Sequence, residues 1–462
     1  MPADITIASA LSARSDDGRS FVVGDASDSA FVAGSLVVIV SAERRQLALI
    51  EERSETTPVR LRGRLVGELT DEGIDTRSSH SFATGSVEGA DTATVQALHD
   101  TTGAMLEVGV NLTQPGGPAR LLPQRFNRHT FWCGQSGSGK TYALGVVLEQ
   151  LIAHTALPVV IFDPNSDFVR LGEVDPAATG PTANALRERD IRVLRPNAAP
   201  GARLRARFLD LPLTSKAAIL QIDPIIDREE FNELIHLRTV MESGELFEVR
   251  PRLLASDNPA QRRLGQRVEN LGLLDWEVWA LGDAPVTDVV AERPDVAVLD
   301  LGGFSTPEQQ LVIALALLDD LWARREERRP VLLVIDEAHN LASPRLDSPI
   351  AIAVRERLIQ IAAEGRKFGL WLLLSTQRPS KVHPGILSQC DNLALMKMTS
   401  PTDLAELGTY FGYAPSALLD RSPWFRQGEA LFAGGFAPAP SLVKVRARLT
   451  REGGSDVGVP MR

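Results

Sequence analysis

Eight consecutive residues constrain this chain more than any others: Gly134-Gln135-Ser136-Gly137-Ser138-Gly139-Lys140-Thr141. They have the form G-x-x-x-x-G-K-[ST], in which backbone N–H groups, a lysine and a hydroxyl converge on phosphate oxygens. Gly134, Gly137 and Gly139 permit the tight turn that points successive N–H groups inward. Lys140 supplies charge for the β- and γ-phosphates, Thr141 offers its hydroxyl to Mg²⁺, and Tyr142 closes the nucleotide-binding set. The flanks agree with this reading. His129 to Cys133 are apolar enough for a short buried strand, and Ala143, Leu144, Val147, Leu148, Leu151 and Ile152 recur on one helix face. A strand–loop–helix unit sets phosphates on a helix N-terminus, where dipole and free N–H groups favour anions. ATP with Mg²⁺ is the expected cofactor.

A chain of 462 residues exceeds one compact core, so two or three domains are expected. The formal net charge of −10 excludes a protein that coats itself with nucleic acid and confines any such contact to a groove or pore. Cys133 and Cys390 have no metal-ligand spacing, which predicts a reducing, cytoplasmic setting without disulfides or zinc. The longest apolar run, Leu311 to Leu318, stops at Asp319-Asp320, and the N-terminus lacks a signal-peptide pattern. No membrane partner is expected.

Residues 1–100 read as a small barrel or sandwich. The β-type runs are Ile5–Ile7, Phe21–Gly24, Leu36–Val40, Leu47–Ile50 and Val59–Val66, with Ser78 to Asp91 as a Gly/Ser/Ala-rich connection. Strand–helix alternation over 101–210 and 291–450 predicts an α/β core with a parallel sheet. Between them, 211–290 reads as an all-helical insertion, with helices near Glu229–Glu242 and Pro259–Leu271 and Trp276 and Trp279 as its packing. Ser305-Thr306-Pro307-Glu308 predicts a capping box opening a helix to about Arg328. Residues 451–462 are Gly-rich and read as a flexible tail.

Val331-Leu332-Leu333-Val334-Ile335-Asp336-Glu337 is an apolar run ending in two acids, the pattern of a doubly buried parallel strand with its ligand end marked. Asp336 is expected to hold Mg²⁺ through water and Glu337 to polarise the attacking water. A helix from about Ile350 to Glu364 should end on Gly365 as its C′ residue. A strand Leu370–Ser375 then leads to Thr376-Gln377-Arg378.

With these pieces in place, residues 104–450 resemble the HerA/FtsK superfamily of ring-shaped DNA-pumping ATPases, and HerA most. The matching segments are Gly134–Thr141, Asp163-Pro164, Asp336-Glu337-Ala338-His339, Glu364–Gly369, Gln377–Ser380, Gly428-Glu429-Ala430 and Gly434-Gly435. The resemblance implies a RecA-like core of the additional-strand class, with the Leu370–Ser375 strand between the phosphate-loop and acid strands. It also implies a preceding HerA-type barrel. Lys140, Glu337 and Gln377 become catalytic, and Arg366, eleven residues before Gln377, becomes an arginine finger given to the neighbouring subunit. One segment departs: after Asp163-Pro164 the family carries His-Gly-Glu-Tyr, and here Asn165-Ser166-Asp167-Phe168 stands.

The resemblance implies a homohexamer that translocates on double-stranded DNA beside a nuclease or other effector, in DNA end processing or antiphage defence. The alternative is a nucleotide-gated ring scaffold that regulates an effector and barely moves DNA. Asp336-Glu337-Ala338-His339 also spells a DEAH box, but the stretch after Gln377 is too short for a second RecA-like lobe. His339 therefore reads as a structural histidine beside the site. Arg378 and Lys381 are weak candidates for DNA contact, while Arg324, Arg325, Arg328 and Arg329 read as a solvated helix end. Cys133 reads as a packed strand residue.

Overall fold

The computed structural model describes residues 11–42, 44–114, 117–240 and 246–454. The expected strand Ile5–Ile7 and residues 455–462 of the expected tail lie outside them. The chain divides into two compact units. One is drawn from Met1–Phe126, Trp132–Gln150 and Asp391–Ala447, the other from Asn127–Phe131, Leu151–Cys390 and Arg448–Arg462.

In the first unit, strands Ser12–Ser15, Ser20–Val23, Leu36–Ser41, Arg44–Arg53, Leu61–Thr70 and Phe82–Gly89 close into a barrel through the pairing of Ser20–Val23 with Leu61–Thr70. The run Leu36–Val40 is continuously apolar because both of its faces are covered. Val37 and Ile39 enter the barrel core with Phe21, Ala48 and Ile50, while Leu36 and Val38 pack outside with Val95 and Leu98 of the helix Thr92–Thr102. The stretch expected to be a connection is in part a barrel strand. Phe82–Gly89 pairs with both Ser12–Ser15 and Leu36–Ser41, and its small residues serve close approach. A Cβ on Gly85 would lie 2.8 Å from Ile39 Cγ2. The same unit holds an antiparallel series in the order of residues 391–395 of the strand Cys390–Leu395, then Glu429–Gly434, Ser441–Val445, Leu106–Asn111 and Pro118–Leu121.

The second unit is built on parallel strands in the order Ile191–Leu194, Val296–Asp300, Val159–Asp163, Val331–Ile335 and Leu370–Thr376. Residues 129–131 of the strand His129–Cys133 come next, so Leu370–Thr376 lies between them and the acid strand, as the additional-strand class requires. Val296–Asp300, Val159–Asp163 and Val331–Ile335 are buried at every position, which explains their unbroken apolar sequences. The helix Lys140–His154 continues from the first unit into the second and is buried from Ala143 to Ala153, all round rather than on one face.

Within the second unit, residues 211–291 carry helices Leu213–Leu220, Arg228–Val240, Leu246–Leu254, Pro259–Asn270 and Val286–Ala291. Trp279 is buried there, donates Nε1–H to the Leu273 carbonyl at 2.6 Å and stacks with Trp276.

Three local expectations shift. The helix Pro307–Ala323 has Thr306 as N-cap, one residue later than the capping box assumed, so Gln309 rather than Glu308 occupies the third position. Gln309 Nε2 donates to Ser305 Oγ at 2.9 Å, and Thr306 makes no side-chain cap. The helix stops at Ala323 instead of Arg328. Gly365 has φ −62°, so it is not a left-handed cap; the chain runs on through a 3-10 turn to Gly369 at φ 84°. Gly365 serves close packing, since a Cβ there would meet the Leu370 carbonyl oxygen at 2.9 Å. Residues 451–454 are tied down, Arg451 N–H donating to the Glu173 carbonyl and Gly453 N–H to that of Asp167, each at 3.0 Å.

Candidate active site

The phosphate loop belongs to the first unit. Gly137 and Gly139 take φ 75° and 85°, the left-handed region in which a Cβ is strained. The Ser138 N–H donates to the Gln135 carbonyl at 3.2 Å, and Ala143 N–H to that of Gly139 at 2.9 Å, which starts the helix. Two later segments brace the loop. Gln135 N–H donates to the Lys397 carbonyl at 2.9 Å, with Thr399 Oγ1–H on Gln135 Oε1 at 2.8 Å. On the other side, Gly428 N–H donates to the Ser138 carbonyl at 2.9 Å. The family-like segment Gly428-Glu429-Ala430 thus begins at the loop.

Gly134 has no room for a side chain: a Cβ would sit 2.8 Å from both Met396 Cβ and Ser138 Oγ. The Ser138 hydroxyl is buried and, among the described residues, has no hydrogen-bond partner. Lys140 is buried, and Thr141 and Tyr142 are half-buried. Left-handed glycines, an orphaned buried hydroxyl and a helix N-terminus suit an anion of the size of a phosphate chain. Cys133, beneath the loop, is buried, which pushes its thiol well above the ordinary range.

The second unit carries the acids. Val331–Ile335 delivers Asp336, buried, and Glu337, which adopts φ 44° and ψ 48°. Ser375 Oγ–H donates to Asp336 Oδ1 at 2.7 Å, and Gln377 Nε2–H to Glu337 Oε1 at 2.8 Å. The neighbouring strand end supplies Asp163, whose two carboxylate oxygens accept the N–H groups of Asp167 and Phe168 at 2.9 and 2.8 Å. Burial pushes the Asp163 carboxyl up to about 7 against those two hydrogen bonds, with the charges of Asp167 and Asp336 adding to the rise. Oxygens of Asp163, Asp167 and Asp336 lie within 4.8 Å of one another. An all-carboxylate set of this kind suits a hard divalent cation such as Mg²⁺, which would relieve the mutual repulsion.

The departing segment has its own geometry. Ser166 takes φ 61°, at the position where the family pattern has glycine, and its hydroxyl donates to Asp300 Oδ1 at 2.7 Å.

Arg366 is exposed in the 3-10 turn Gly365–Phe368. It lines an open polar depression with Asn127, Arg128, Glu364, Lys367 and Trp371, and its carbonyl accepts the Trp371 Nε1–H at 3.3 Å. Arg378 and Lys381 are exposed beyond the Gln377 strand. At the helix end, Arg325 is not simply solvated, since its guanidinium lies 4.7 Å from the Trp322 ring centroid.

Sequence reasoning missed His129. It is fully buried, its Nδ1 accepting the Leu372 N–H and its Nε2–H donating to the Ala362 carbonyl, both at 3.0 Å. Burial holds its pKa down at about 4, helped by the charges of Arg366 and Arg128. It joins the end of the helix before Arg366 to the strand after it. A histidine at the start of an apolar strand is the one signal that pointed to it. Ser375 was also missed, because a serine near a strand's end carries no signature of its own.

Residues 106–321 match the family described as helicase HerA, central domain. Among the similar proteins is the DNA double-strand break repair helicase HerA of Pyrococcus furiosus, 24% identical over 77% of this chain and 73% of that protein. A probable helicase of Methanocaldococcus jannaschii is 32% identical over 32% of this chain, which spans only 29% of that relative's length. Among solved structures, VirB4 of Thermoanaerobacter pseudethanolicus matches with a TM-score of 0.52 and 16% identity, covering 75% of this chain and 97% of that one. The likeness to VirB4 is one of fold. No described helix is long and apolar enough to cross a membrane.

Proposed function

We propose that this chain is a HerA-like ATPase of the HerA/FtsK superfamily, forming a cytoplasmic homohexamer that couples ATP hydrolysis to movement along double-stranded DNA. The phosphate loop grips the triphosphate through its backbone N–H groups and Lys140, with Tyr142 beside it. Thr141 and Asp336 are the residues that would hold Mg²⁺, which would supply positive charge for the phosphates. Glu337 takes the proton of the water that attacks the γ-phosphorus, and Gln377 orients that water. Arg366 reaches the nucleotide of the neighbouring subunit, where its planar guanidinium spans two phosphate oxygens.

The observation that carries this reading is the 2.8 Å bond from Gln377 to Glu337, which joins the polar tip of one strand to the acid at the end of the next. The relative from P. furiosus, described as a DNA double-strand break repair helicase, supports a role in DNA end processing, and a nuclease or other effector is the partner proposed for it.

A translocase needs DNA to accelerate turnover, so ATPase rate and displacement of a third strand from duplex are the measurements. Mixed-sequence duplex should raise turnover several-fold at low salt, and the effect should fade with salt because the contacts are to phosphates. Turnover indifferent to DNA, with no strand displaced, would replace the motor by a nucleotide-gated scaffold. The net charge of −10 is the observation that favours that second reading.

A further inference from the structure

In the second unit, Asp223-Pro224-Ile225-Ile226-Asp227 holds two neighbouring isoleucines out in solvent, each 83% exposed. The turn is tied down. Asp223 Oδ1 accepts the N–H groups of Ile226 and Ile225 at 2.9 and 2.8 Å, and those bonds hold its carboxyl below the ordinary range. Asp227 Oδ2 accepts the Asp223 N–H at 3.0 Å, and Arg267 pairs with Asp227 at 3.0 Å. Asp223 itself has no ion pair among the described residues. Single exposed hydrophobics are ordinary, but two adjacent stiff ones fixed on an acidic turn make a knob.

The same unit carries a matching pocket. At the N-terminal ends of the strands Val159–Asp163 and Val331–Ile335, the side chains of Val159, Val290, Leu321, Val331 and Phe368 line a narrow cavity of about 40 Å³. That is roughly three times the space one water needs, which suits one aliphatic side chain and no folded segment. Arginines 293, 324, 325 and 329 stand around it. Arg324 pairs with Asp320, Arg325 with Glu326 at 3.8 Å and Arg329 with Glu327 at 3.6 Å. Arg293 has only a neutral acceptor, the Pro330 carbonyl at 3.1 Å, and no carboxylate partner among the described residues. Burial and the charge of Arg329 hold its pKa below the ordinary value, so an added anion would stabilise it.

We propose that the Ile225–Ile226 knob of one copy of this chain enters the arginine-rimmed pocket of the next, with Asp223 facing Arg293. Knob and pocket are made of different residues, so the contact runs head to tail, the kind that closes a ring when the rotation allows. Phe368 ends the 3-10 turn that carries Arg366, which sets the pocket at the same end of the sheet as the residue proposed to serve the neighbour. The proposal rests on the homohexamer reading and names a contact that holds the ring.

Introduced cysteines test it in full-length protein. Cys133 and Cys390 are both buried, so a short bismaleimide reads only the added thiols, with the wild type as control. Ile226→Cys co-expressed with Ala291→Cys, a lining position of the pocket, should give cross-linked pairs of chains, and neither variant alone should. Ile226→Asp, at a site too exposed to disturb folding, should weaken assembly by on the order of 10-fold or more, read as mass against concentration. Asp223→Asn keeps the turn's acceptor and drops its charge. It and Arg293→Gln should each weaken assembly a few-fold, and the two together no more than either alone. Rings that form without the cross-link, or at full strength in Ile226→Asp, would overturn the contact and leave the homohexamer standing. Additive losses from Asp223→Asn and Arg293→Gln would overturn the pairing of those two residues. If Ala291→Cys does not fold, Ile226→Asp decides alone. A monomer at every concentration would remove the homohexamer and this contact together.

Discussion

The phosphate loop and the acid strand end handle opposite charges with different materials. The first is made of backbone: left-handed glycines at Gly137 and Gly139, N–H groups, and a helix start, braced by Lys397 and Gly428. The second is made of side chains: Asp163, Asp167 and Asp336 crowd within 4.8 Å, and Glu337 accepts the Gln377 Nε2–H. A backbone site depends on conformations that few residues tolerate, so its sequence is short and contiguous. A side-chain site depends on strands brought together from distant parts of the chain, and each contributor is an ordinary residue. Damage should therefore differ, with the first region losing binding and the second losing rate.

The largest effect expected outside these two regions concerns Arg366. If it serves the neighbour's nucleotide, Arg366→Ala should bind ATP normally and hydrolyse it slower by on the order of 10³-fold. Mixed rings with Lys140→Ala should regain partial activity, because one variant keeps the site and the other the finger. Failure to recover in rings shown to be mixed would place Arg366 in its own subunit's site or mean that one dead subunit stalls the ring. A fully active monomer would remove the shared site altogether.

His129 gives the next effect, on stability. Its folded pKa of about 4 lies below the ordinary 6.5, so the unfolded chain binds the proton first. Its contribution is whole above pH 6.5 and is lost as pH falls toward 4, about 3 kcal/mol over the window. His99 is depressed to about 4 in the same way, also by burial, so the native protein alone cannot separate the two. Chemical denaturation of the wild type and His129→Gln at pH 7 and pH 5 should show a shallower pH dependence in the variant. Parallel curves would mean that His129 is not held neutral.

The smallest effect concerns Ser166. Glycine would relieve its left-handed strain, about 1 kcal/mol, and would remove the hydrogen bond to Asp300, also about 1 kcal/mol. Ser166→Gly should thus melt within a few degrees of the wild type. A large loss would show that the Asp300 contact matters far more than the backbone.

The same contrast explains what could be read in advance. The loop and the acid strand were legible because each carries its chemistry in consecutive residues with a fixed physical meaning. Burial on both faces likewise made the strands Val159–Asp163 and Val331–Ile335 plain. Phe82–Gly89 was not legible as a strand, because its small residues, with Gly85 packed close against Ile39, mimic a loop. The bond of Gln377 to Glu337 depends on a left-handed glutamate that no pattern announces. His129 and Ser375 act through neighbours far away in sequence, and only the parallel sheet brings them there.

The central claim is that the loop binds nucleotide and the acid end turns it over. The direct measurement is ATP affinity beside steady-state hydrolysis for Lys140→Ala and Glu337→Gln. In the proposed roles, Lys140 would act on ground-state phosphates, whereas Glu337 would act on water as the transition state forms. The account predicts that Lys140→Ala loses binding and turnover together, while Glu337→Gln binds like the wild type and loses turnover by about 10²-fold or more. Wild-type turnover by Glu337→Gln, or tight binding by Lys140→Ala, would contradict it.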